Sequence, residues 1–467
     1  MRAAFSSAER GYWRYLGSLI AIILGVLGAA PAQAALDLGS KILTRNAVDV
    51  RDAPATTAAK LGRQPLGRLG LLGAGPVESG STPWWWVDFE GGADGWVPET
   101  ALAAPYFPPP ETQGGWRSLA PYGKTPNSTQ KATIRAKAGV DWNKLKAADT
   151  YSRSFTTSSG LLVIRNGYIA GEWGSRVVSG VASVSKSLTG LAVAKLFDMA
   201  DADLLAQPFT PDTPAFELLP ESWTAAAVEK KAILVRHLMT MTSGLQPHDQ
   251  PGAPDYLALM LSLPMRSAPG ERWAYASAPV DLLSIAAQTA GGAELAVVFN
   301  REIAVPIGAA PFAWGKIGPY SGASSRARTT PRDLARVGYL MMMDGQWRVA
   351  GIQRQLVSQE RVRALRDDCR CASSVYEPTE QSPFLIPVTA PEQYGQLWWS
   401  NRTGEALGAT VPRDAFYAHG YGERLLVVVP SRNLLVVRFG TEPKTVPEFR
   451  QELMRRVMAS LVTATAF

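Results

Sequence analysis

One serine and one lysine stand three residues apart at the start of an apolar segment. Ser183 and Lys186 precede a run from Leu188 to Met199 that is apolar on almost every side, which predicts a buried helix. Residues three apart lie on the same helix face, one turn from each other. Burial and the nearby helix N-terminus both lower the pKa of such a lysine. A lysine that is neutral part of the time can accept the proton that a serine loses when it becomes a nucleophile.

The Ser-x-x-Lys pattern is short, so its surroundings carry the prediction. Ser128 and Lys131 form a second match, but that match lies in a Pro-rich region. Ser183 instead follows a predicted strand pair and begins the predicted buried helix. Two interpretations of Ser183 stay open, a nucleophile and a helix cap.

The usual partners of a catalytic serine are scarce in this chain. It has three histidines, and His237 lies in a helical pattern that favours a structural role. No Gly-x-Ser-x-Gly sequence is present. A lysine or a tyrosine is therefore the more plausible base.

Tyr275 is the best tyrosine candidate for proton transfer. Pro269-Gly270 predicts a turn, and Ser277 falls near the N-cap of a helix that begins around Pro279. Tyr275 thus lies on a constrained loop just before a helix. Close to a cationic lysine, its phenol would have a lowered pKa and could relay a proton to a leaving group. The alternative is a loop aromatic packed over the core.

Composition and charge exclude several function classes. The 467 residues suffice for two or three domains, and 46% hydrophobic with 19% charged residues is typical of a globular protein. The net charge of +7 includes no Lys/Arg run of the kind that binds nucleic acid, so no nucleic-acid partner is expected. Cys369 and Cys371 are too close for an unstrained disulfide, which favours an exposed loop pair. With so few histidines and cysteines we predict no metal and no cofactor.

The N-terminus has the pattern of an export signal. Three arginines precede an apolar run from Leu16 to Ala30, and Ala32-Gln33-Ala34 offers small residues for cleavage. The run of about 15 residues is shorter than the roughly 20 that span a bilayer. Residues 1–34 are therefore predicted to be a signal peptide, which implies a periplasmic or secreted protein. An uncleaved membrane anchor is the alternative.

Residues 38–103 read as many short strands separated by turn signals, a pattern that predicts a small all-β barrel. The segment resembles a bacterial SH3 domain in Val50-Arg51-Asp52-Ala53-Pro54 and in Gly95-Trp96-Val97. That resemblance implies binding to peptidoglycan or peptides. Trp84 and Trp86 share one strand face, either as barrel core or as a ligand platform.

Two further segments complete the predicted organisation. Residues 104–137 are rich in Pro, Gly, Ser and Thr and predict a partly extended linker. In residues 138–467, Asn166-Gly167 and residues 430–433 each predict a hairpin, and residues 447–461 predict a helix. Strand pairs at both ends of a helical middle predict an α/β (α+β) fold, in which an antiparallel sheet is flanked by helices and carries an inserted helical lobe.

Five motifs stand in this order along the chain: Ser183–Lys186, Arg236–Leu245, Pro269–Ser277, Thr330–Arg336 and Tyr394–Trp399. Together they resemble the serine β-lactamase-related superfamily, nearest its class C, esterase and 6-aminohexanoate-oligomer hydrolase branch. The similarity spans about residues 138–462 and implies the β-lactamase/transpeptidase-like fold. It implies that Ser183 is the acylated nucleophile, Lys186 its activating partner and Tyr275 a second proton shuttle.

The sequence departs from the family pattern at two places. Ser277 stands where many members have an asparagine that orients substrate. The region of the family's Lys-Thr-Gly box has no lysine and contains His419, Gly420, Tyr421 and Gly422. Backbone N–H groups near Gly420 to Gly422, with that of Ser183, are expected to hold an oxyanion.

The missing lysine changes the expected substrate. It usually pairs with the carboxylate of a penicillin, so efficient β-lactamase activity is not expected. Either His419 or Arg424 replaces it, or His419 is an exposed loop residue.

The sequence therefore predicts an exported serine hydrolase that acts through an acyl-enzyme on a small ester or amide, or on a peptide. Two alternatives stay open: a D-Ala-D-Ala peptidase or β-lactamase, and a catalytically inactive cell-wall binding protein.

Overall fold

The computed structural model describes residues 36–154, 156, 159–225, 228–368, 375–377, 390–440 and 447–463. From Leu38 onward these residues form one compact unit. The predicted signal segment and the pair Cys369 and Cys371 lie outside the described residues.

The N-terminal segment forms an antiparallel sheet of seven strands in the order β3-β2-β6-β5-β4-β1-β7. Val50, Val87 and Val97 are fully buried in it, as expected for strands that bury one face. Trp84 is buried and Trp86 is half-buried, so Trp84 belongs to the core. The resemblance to an SH3 domain stays a prediction. The strands are β1 (Lys41–Thr44), β2 (Val48–Arg51), β3 (Lys60–Gln64), β4 (Leu69–Ser79), β5 (Thr82–Phe89), β6 (Gly95–Pro98) and β7 (Leu102–Ala103).

The larger sheet is built from both ends of the remaining chain, in the order β20-β21-β22-β23-β9-β10-β8. Its pairs are antiparallel except that between β8 and β10. The strands from β8 on are β8 (Arg117–Ser118), β9 (Gly160–Arg165), β10 (Tyr168–Trp173), β11 (Ser179–Gly180), β12 (Arg272–Trp273), β13 (Ala313–Trp314), β14 (Lys316–Ile317), β15 (Tyr320–Ser321), β16 (Ala327–Thr329), β17 (Gln346–Val349), β18 (Ile352–Gln355), β19 (Val375–Tyr376), β20 (Trp399–Ser400), β21 (Phe416–Gly420), β22 (Arg424–Val429) and β23 (Leu434–Phe439).

Both predicted hairpins are present, which confirms the antiparallel sheet. Asn166 and Gly167 join β9 to β10 with φ of 53° and 73°, the left-handed conformation that a two-residue hairpin turn requires. Residues 430–433 join β22 to β23, and Asn433 there has a φ of 46°. The first and last segments of this region therefore pair directly, β9 with β23.

Helices cover both faces of the larger sheet and fill the middle of the chain. Asn127 and Gln130 form a capping box at the start of α1, and Thr330 caps α9 ahead of Pro331. The helices are α1 (Ser128–Ala138), α2 (Trp142–Arg153), α3 (Val184–Asp201), α4 (Ser222–Ala225), α5 (Val235–Met239), α6 (Tyr256–Ser262), α7 (Ala278–Gly291), α8 (Leu295–Phe299), α9 (Pro331–Met342), α10 (Gln359–Asp367) and α11 (Pro447–Ala459). Single turns of tighter or wider helix are Glu99–Ala101, Glu111–Gln113, Ala215–Glu217, Val228–Ala232, Asn300–Ala304, Ala390–Gln393 and Pro430–Arg432.

Leu435 and Arg438 of β23 point to opposite faces of the larger sheet and show which helix covers each face. Helix α9 lies so close that a Cβ at Gly338 would be 2.6 Å from Leu426 and 3.3 Å from Leu435. Arg438 points the other way, with its guanidinium 4.7 Å from the ring centroid of Phe449 in α11. Because side chains alternate across a strand, α9 and α11 lie on opposite faces. This explains why the strands of the sheet are almost wholly apolar and buried.

The helical lobe is the chain between β10 and β20. Helix α3 runs through it, buried from Val184 to Ala194. In the described part of the chain no single helix is long and apolar enough to cross a membrane. One bent pair of helices, Ala278–Gly291 with Leu295–Ala304, reaches the required length and apolar composition only when the two are taken together.

The predicted linker is packed against the large domain, which differs from the expected extended chain. Trp116 is buried there, and residues from Ser128 onward form α1. Arg336 of α9 donates hydrogen bonds of 2.7 Å to the carbonyls of both Pro108 and Pro109. Prolines keep their carbonyl acceptors although they lack an N–H, so a Pro-rich segment can satisfy a buried arginine. Composition alone did not reveal this partner.

The N-terminal sheet is tied to the rest of the unit by a buried ion pair. Lys41 is 2% exposed, and its Nζ lies 2.9 Å from Oδ2 of Asp344, just after α9. Burial would raise the pKa of Asp344, but Lys41 and Arg366 more than offset that effect and hold the pKa below its usual range. Asp344 therefore depends on cations from two parts of the chain.

Loss of Lys41 should destabilise the protein. Lys41→Ala leaves the Asp344 carboxylate buried with only longer ion pairs to Arg363 and Arg366, which should lower the free energy of unfolding by about 3 kcal/mol. Lys60→Ala is the control, because Lys60 pairs with Asp49 at an exposed site, where a change below about 1 kcal/mol is expected. Urea unfolding of the two variants measures both values; equal midpoints would contradict the role of Lys41.

Candidate active site

Ser183 lies where β11 turns into α3. It directly precedes the helix, is 8% exposed, and makes no side-chain capping hydrogen bond. Ala182 before it has a φ of 49°, a left-handed conformation that costs a non-glycine residue free energy. The helix-cap interpretation therefore lacks its hydrogen bond, and the strained turn holds the hydroxyl away from the helix N-terminus.

The neighbouring serine has a different role. The Ser185 hydroxyl donates to the Ala182 carbonyl at 2.7 Å and accepts from the Ala327 N–H at 3.0 Å. It thus ties the strained turn to β16. Ser183 is left as the serine whose side chain faces Lys186.

Lys186, one helical turn after Ser183, donates hydrogen bonds to three oxygen atoms. Its Nζ donates to Oγ of Ser183 at 3.1 Å, to Oγ of Ser277 at 3.1 Å and to the carbonyl of Ser324 at 3.2 Å. The side chain is 1% exposed. Burial lowers the pKa of Lys186, while the carboxylates of Asp249 and Asp281 work in the opposite direction. A neutral amine in this position can accept the Ser183 proton directly.

Tyr275 joins the same cluster. Its hydroxyl is hydrogen-bonded to Ser183, and the Lys186 Nζ lies 4.9 Å from its ring centroid. The predicted lowering of its pKa was wrong: burial, with Asp249 adding to it, raises the pKa far above the usual tyrosine value. The reason is that burial removes the hydration of a phenolate, an effect larger than that of the Ser183 hydrogen bond, which lowers the pKa. Tyr275 is therefore a protonated hydrogen-bond donor and acceptor.

Three buried aromatic residues fix the Tyr275 ring. Ring centroids lie 5.7 Å away for Trp399, 6.1 Å for Tyr394 and 6.4 Å for Trp273. Trp399 and Tyr394 come from one of the five motifs, so that motif supports Tyr275 from across the site.

Ser277 lies at the start of α7, but its hydroxyl makes no capping bond. It accepts from Lys186 and donates to Oδ1 of Asp249 in a short hydrogen bond. Sequence reasoning missed Asp249, because the loop from residue 246 to 254 has no periodicity or spacing that marks a charged residue. The pKa of Asp249 is raised by burial, against the effects of Lys186 and Ser277.

Asp281 is a second acid that sequence reasoning missed. It is 1% exposed, accepts from the Ser324 N–H at 2.9 Å and from the Tyr256 hydroxyl at 3.1 Å. These bonds fix the Ser324 carbonyl that faces Lys186. A lone carboxylate inside the apolar pattern of α7 was the available signal, since buried acids need partners.

The C-terminal end of β21 closes the site opposite Ser183. A Cβ at Gly420 would lie 2.5 Å from the Val181 carbonyl and 3.1 Å from the Ser183 nitrogen. Only glycine permits this approach. In the described sheet β20 pairs with Phe416 and Tyr417, and the last residues of β21 continue past that strand to lie beside Ser183.

The other predicted residues near Gly420, which are His419, Tyr421 and Gly422, differ in burial and in their partners. His419 lies in β21, is 8% exposed and has its Nε2 3.3 Å from Oε1 of Glu423, so the exposed-loop alternative is wrong. Burial lowers the pKa of His419, against the effect of Glu423. Tyr421 is 40% exposed. Gly422 has a φ of 76° in the turn, and its carbonyl accepts from Arg438 at 2.8 Å.

The structure therefore brings Ser183, Lys186, Tyr275 and Ser277 into one cluster with Gly420 beside it. The cluster contains a serine hydroxyl, a buried amine, a protonated phenol and the backbone at the end of β21. That set can activate Ser183 and stabilise an oxyanion. Among the described residues, no group of three His, Cys, Asp or Glu side chains is arranged to hold a metal ion.

Comparisons with known proteins identify relatives of this fold. The family model described as Beta-lactamase matches residues 156–459. A solved candidate β-lactamase from Bacteroides dorei DSM 17855 has a TM-score of 0.54 at 18% identity, over 68% of this chain and 99% of that one. EstCE1, a hydrolase with promiscuous acyltransferase activity, has a TM-score of 0.51 at 14% identity, over 71% of this chain and 100% of its own. At these identities the likeness concerns the fold. No curated protein matches the sequence.

Asp249 should control the pH at which Ser183 becomes reactive. Asp249→Asn removes an anion that favours the charged form of Lys186, so the pKa of Lys186 should fall further. The rate at which a fluorophosphonate labels Ser183 should rise with pH as Lys186 loses its proton, and this rise should move to lower pH in the variant. Asp255→Asn is the control, because Asp255 is exposed on the same segment. An unshifted profile in Asp249→Asn would contradict the coupling.

Proposed function

This chain belongs to the β-lactamase family, and from that premise we propose that it is a serine hydrolase that forms an acyl-enzyme on Ser183 from ester or amide substrates. The observation that carries the proposal is the 3.1 Å contact between Oγ of Ser183 and a buried Lys186 amine whose pKa is lowered. This is the arrangement that nucleophilic catalysis by serine requires.

In acylation, Oγ of Ser183 attacks the substrate carbonyl carbon while its proton passes to Nζ of Lys186. We assign the base to Lys186 because the raised pKa of Tyr275 keeps its phenol protonated. Tyr275, hydrogen-bonded to Ser183, then passes a proton to the leaving alcohol or amine and is reprotonated from Lys186. The acyl group stays on Ser183, and the proton that Ser183 lost leaves with the product.

Deacylation reverses the proton path. A water molecule gives its proton to the Tyr275 and Lys186 pair as its oxygen attacks the acyl carbon. The carboxylic acid leaves when Oγ of Ser183 regains the proton. Ser277 and the Ser324 carbonyl keep the amine oriented through both steps.

Two backbone N–H groups form the proposed oxyanion site. That of Ser183 lies outside the hydrogen bonds of α3, as first-turn N–H groups do. The second comes from Tyr421, which follows the close approach of Gly420 to Ser183. Arg438 holds this turn by donating to the carbonyls of Gly422 and Glu423 at 2.8 and 2.9 Å.

The proposed substrates are small esters or amides. Residues 416–424 carry no lysine to pair with a penicillin carboxylate, and His419 is engaged with Glu423. Arg424 donates to the carbonyl of Tyr421 beside it. The second candidate function is a cell-wall peptidase or β-lactamase, and only membership of the family supports it. Turnover of nitrocefin and of D-Ala-D-Ala peptides distinguishes it from the proposed esterase or amidase.

We also propose that the protein is exported and that its N-terminal sheet binds peptidoglycan or peptides. Support comes from the charged and apolar pattern of residues 1–34 and from the motifs shared with SH3 domains in residues 38–103.

The acyl-enzyme is directly testable by mass spectrometry. We expect a fluorophosphonate to add once, on Ser183, and expect turnover of a nitrophenyl ester and a short amide to exceed that of nitrocefin and D-Ala-D-Ala peptides. Absence of an adduct from folded protein would favour an inactive binding protein instead. Preferred turnover of nitrocefin or of the peptides would refute the proposed substrate class.

Lys186→Met should reduce ester turnover by roughly 10²- to 10⁴-fold, the range of general-base contributions. Lys195→Met is the matched control in the same helix, since Lys195 is half-buried beyond the site. Equal kcat in the two variants would refute Lys186 as the base.

Gly420→Ala tests the oxyanion site. The new Cβ meets the Val181 carbonyl and must push β21 away from Ser183, so kcat should fall by about 10² or more. Gly180→Ala is the control, because a Cβ there meets no atom within 4 Å. Unchanged turnover in Gly420→Ala would show that this strand edge takes no part in the reaction.

A further inference from the structure

A cavity of about 390 Å³ lies far from Ser183. A loop of the N-terminal sheet, residues 65–68, forms one side of it, and the two hairpin turns of the larger sheet form another. Strand β22 runs from the candidate active site to this cavity. Arg424 at its start lies near the active site, and Ser431, just after its end, lines the cavity. Its length is roughly 20 Å.

Three arginines from different parts of the fold line this cavity: Arg68, Arg165 and Arg432. Arg68 donates from Nη1 to the carbonyls of Glu90 and Ser431, both at 2.8 Å. Its Nε is buried and has no hydrogen-bond partner among the described residues. Buried N–H groups in folded proteins are normally satisfied by a protein group, a bound ion or water.

Arg165 is held by carbonyls as well. Its Nε donates to the carbonyl of Arg432 at 3.2 Å, and its Nη1 to that of Val462 at 3.0 Å. Arg432 itself is exposed. Carbonyl partners orient these side chains without neutralising their charge, and within the described part of the chain none of the three arginines forms an ion pair with a carboxylate.

The charges act on one another. Burial, and then the charge of Arg432, lowers the pKa of Arg68 and lowers that of Arg165 to about 10. Asp414, and then Glu90, favour the charged form of Arg68, and Asp414 also accepts hydrogen bonds from the N–H and the hydroxyl of Ser431. Three arginines therefore line the cavity, and none of the residues that line it is acidic.

Part of the cavity wall is apolar. Pro65, Leu66, Met458 and Leu461 line that part. A cavity of this size, in which polar and charged groups lie beside an apolar patch, has room for a small molecule that carries a charged group. Guanidinium groups bind the oxygens of phosphate and carboxylate in the same two-pronged manner.

We propose that this cavity binds a small organic anion, its phosphate or carboxylate group held by Arg68, Arg165 and Arg432 and its apolar part against Leu66 and Met458. Because the arginines come from both sheets, the ligand joins the N-terminal segment to the larger sheet. Binding here is independent of acyl transfer at Ser183.

Isothermal titration of the whole protein at constant ionic strength tests this site with inorganic phosphate, phenyl phosphate and benzoate. We expect saturable binding, stronger for phenyl phosphate than for phosphate because of the apolar wall. Arg432→Ala should weaken it by about tenfold or more, since one charged partner is lost. Arg354→Ala is the control, an exposed arginine of β18 outside the cavity.

The probes separate the two ligand classes. Tighter binding of phenyl phosphate than of benzoate identifies a phosphate ester, and the reverse identifies a carboxylate. Failure of all three probes to saturate the wild-type protein, or equal affinity in Arg432→Ala and wild type, would overturn the proposal. Ester turnover in Arg432→Ala should equal that of wild type, so this outcome does not depend on the function proposed for Ser183.

Discussion

Removal of water from the Lys186 ammonium is the constraint on which the candidate site depends. The amine is enclosed by α3, α7 and the Ser324 loop, where a permanent charge is unfavourable. Asp249 and Asp281 limit this effect without forming a direct ion pair. The same desolvation raises the pKa of Tyr275. One physical cause therefore gives the two neighbours opposite roles, since it favours the neutral form of each.

A close backbone contact is the second requirement of the site. The backbone of Gly420 lies against the Ser183 nitrogen, and Ala182, directly before Ser183, has a left-handed backbone conformation. Strain of this kind persists only where the surroundings over-determine the backbone. Here Ser185 anchors the turn to β16, and Arg438 anchors the turn after β21.

The N-terminal third of the chain is part of this architecture. Lys41 pairs with Asp344 beyond α9, while Pro108 and Pro109 satisfy Arg336 within that helix. Helix α9 packs on β22 and β23, which lead to Gly420. The cavity lined by Arg68, Arg165 and Arg432 lies at the same junction, at the other end of the sheet.

The sequence by itself determined the elements whose cause is local. Asn166-Gly167 specified a hairpin through its left-handed φ angles, and the apolar run after Lys186 specified a buried helix one turn from Ser183. The order of the five motifs indicated the family, and that resemblance implied catalytic roles for Ser183, Lys186 and Tyr275. Only the tertiary structure decided what depends on contacts between distant segments: the pKa direction of Tyr275, the roles of Asp249 and Asp281, the burial of His419 against Glu423, and the packing of the Pro-rich segment on Arg336. Desolvation and charge pairing depend on the distance between atoms in space, and spacing along the chain does not contain that distance.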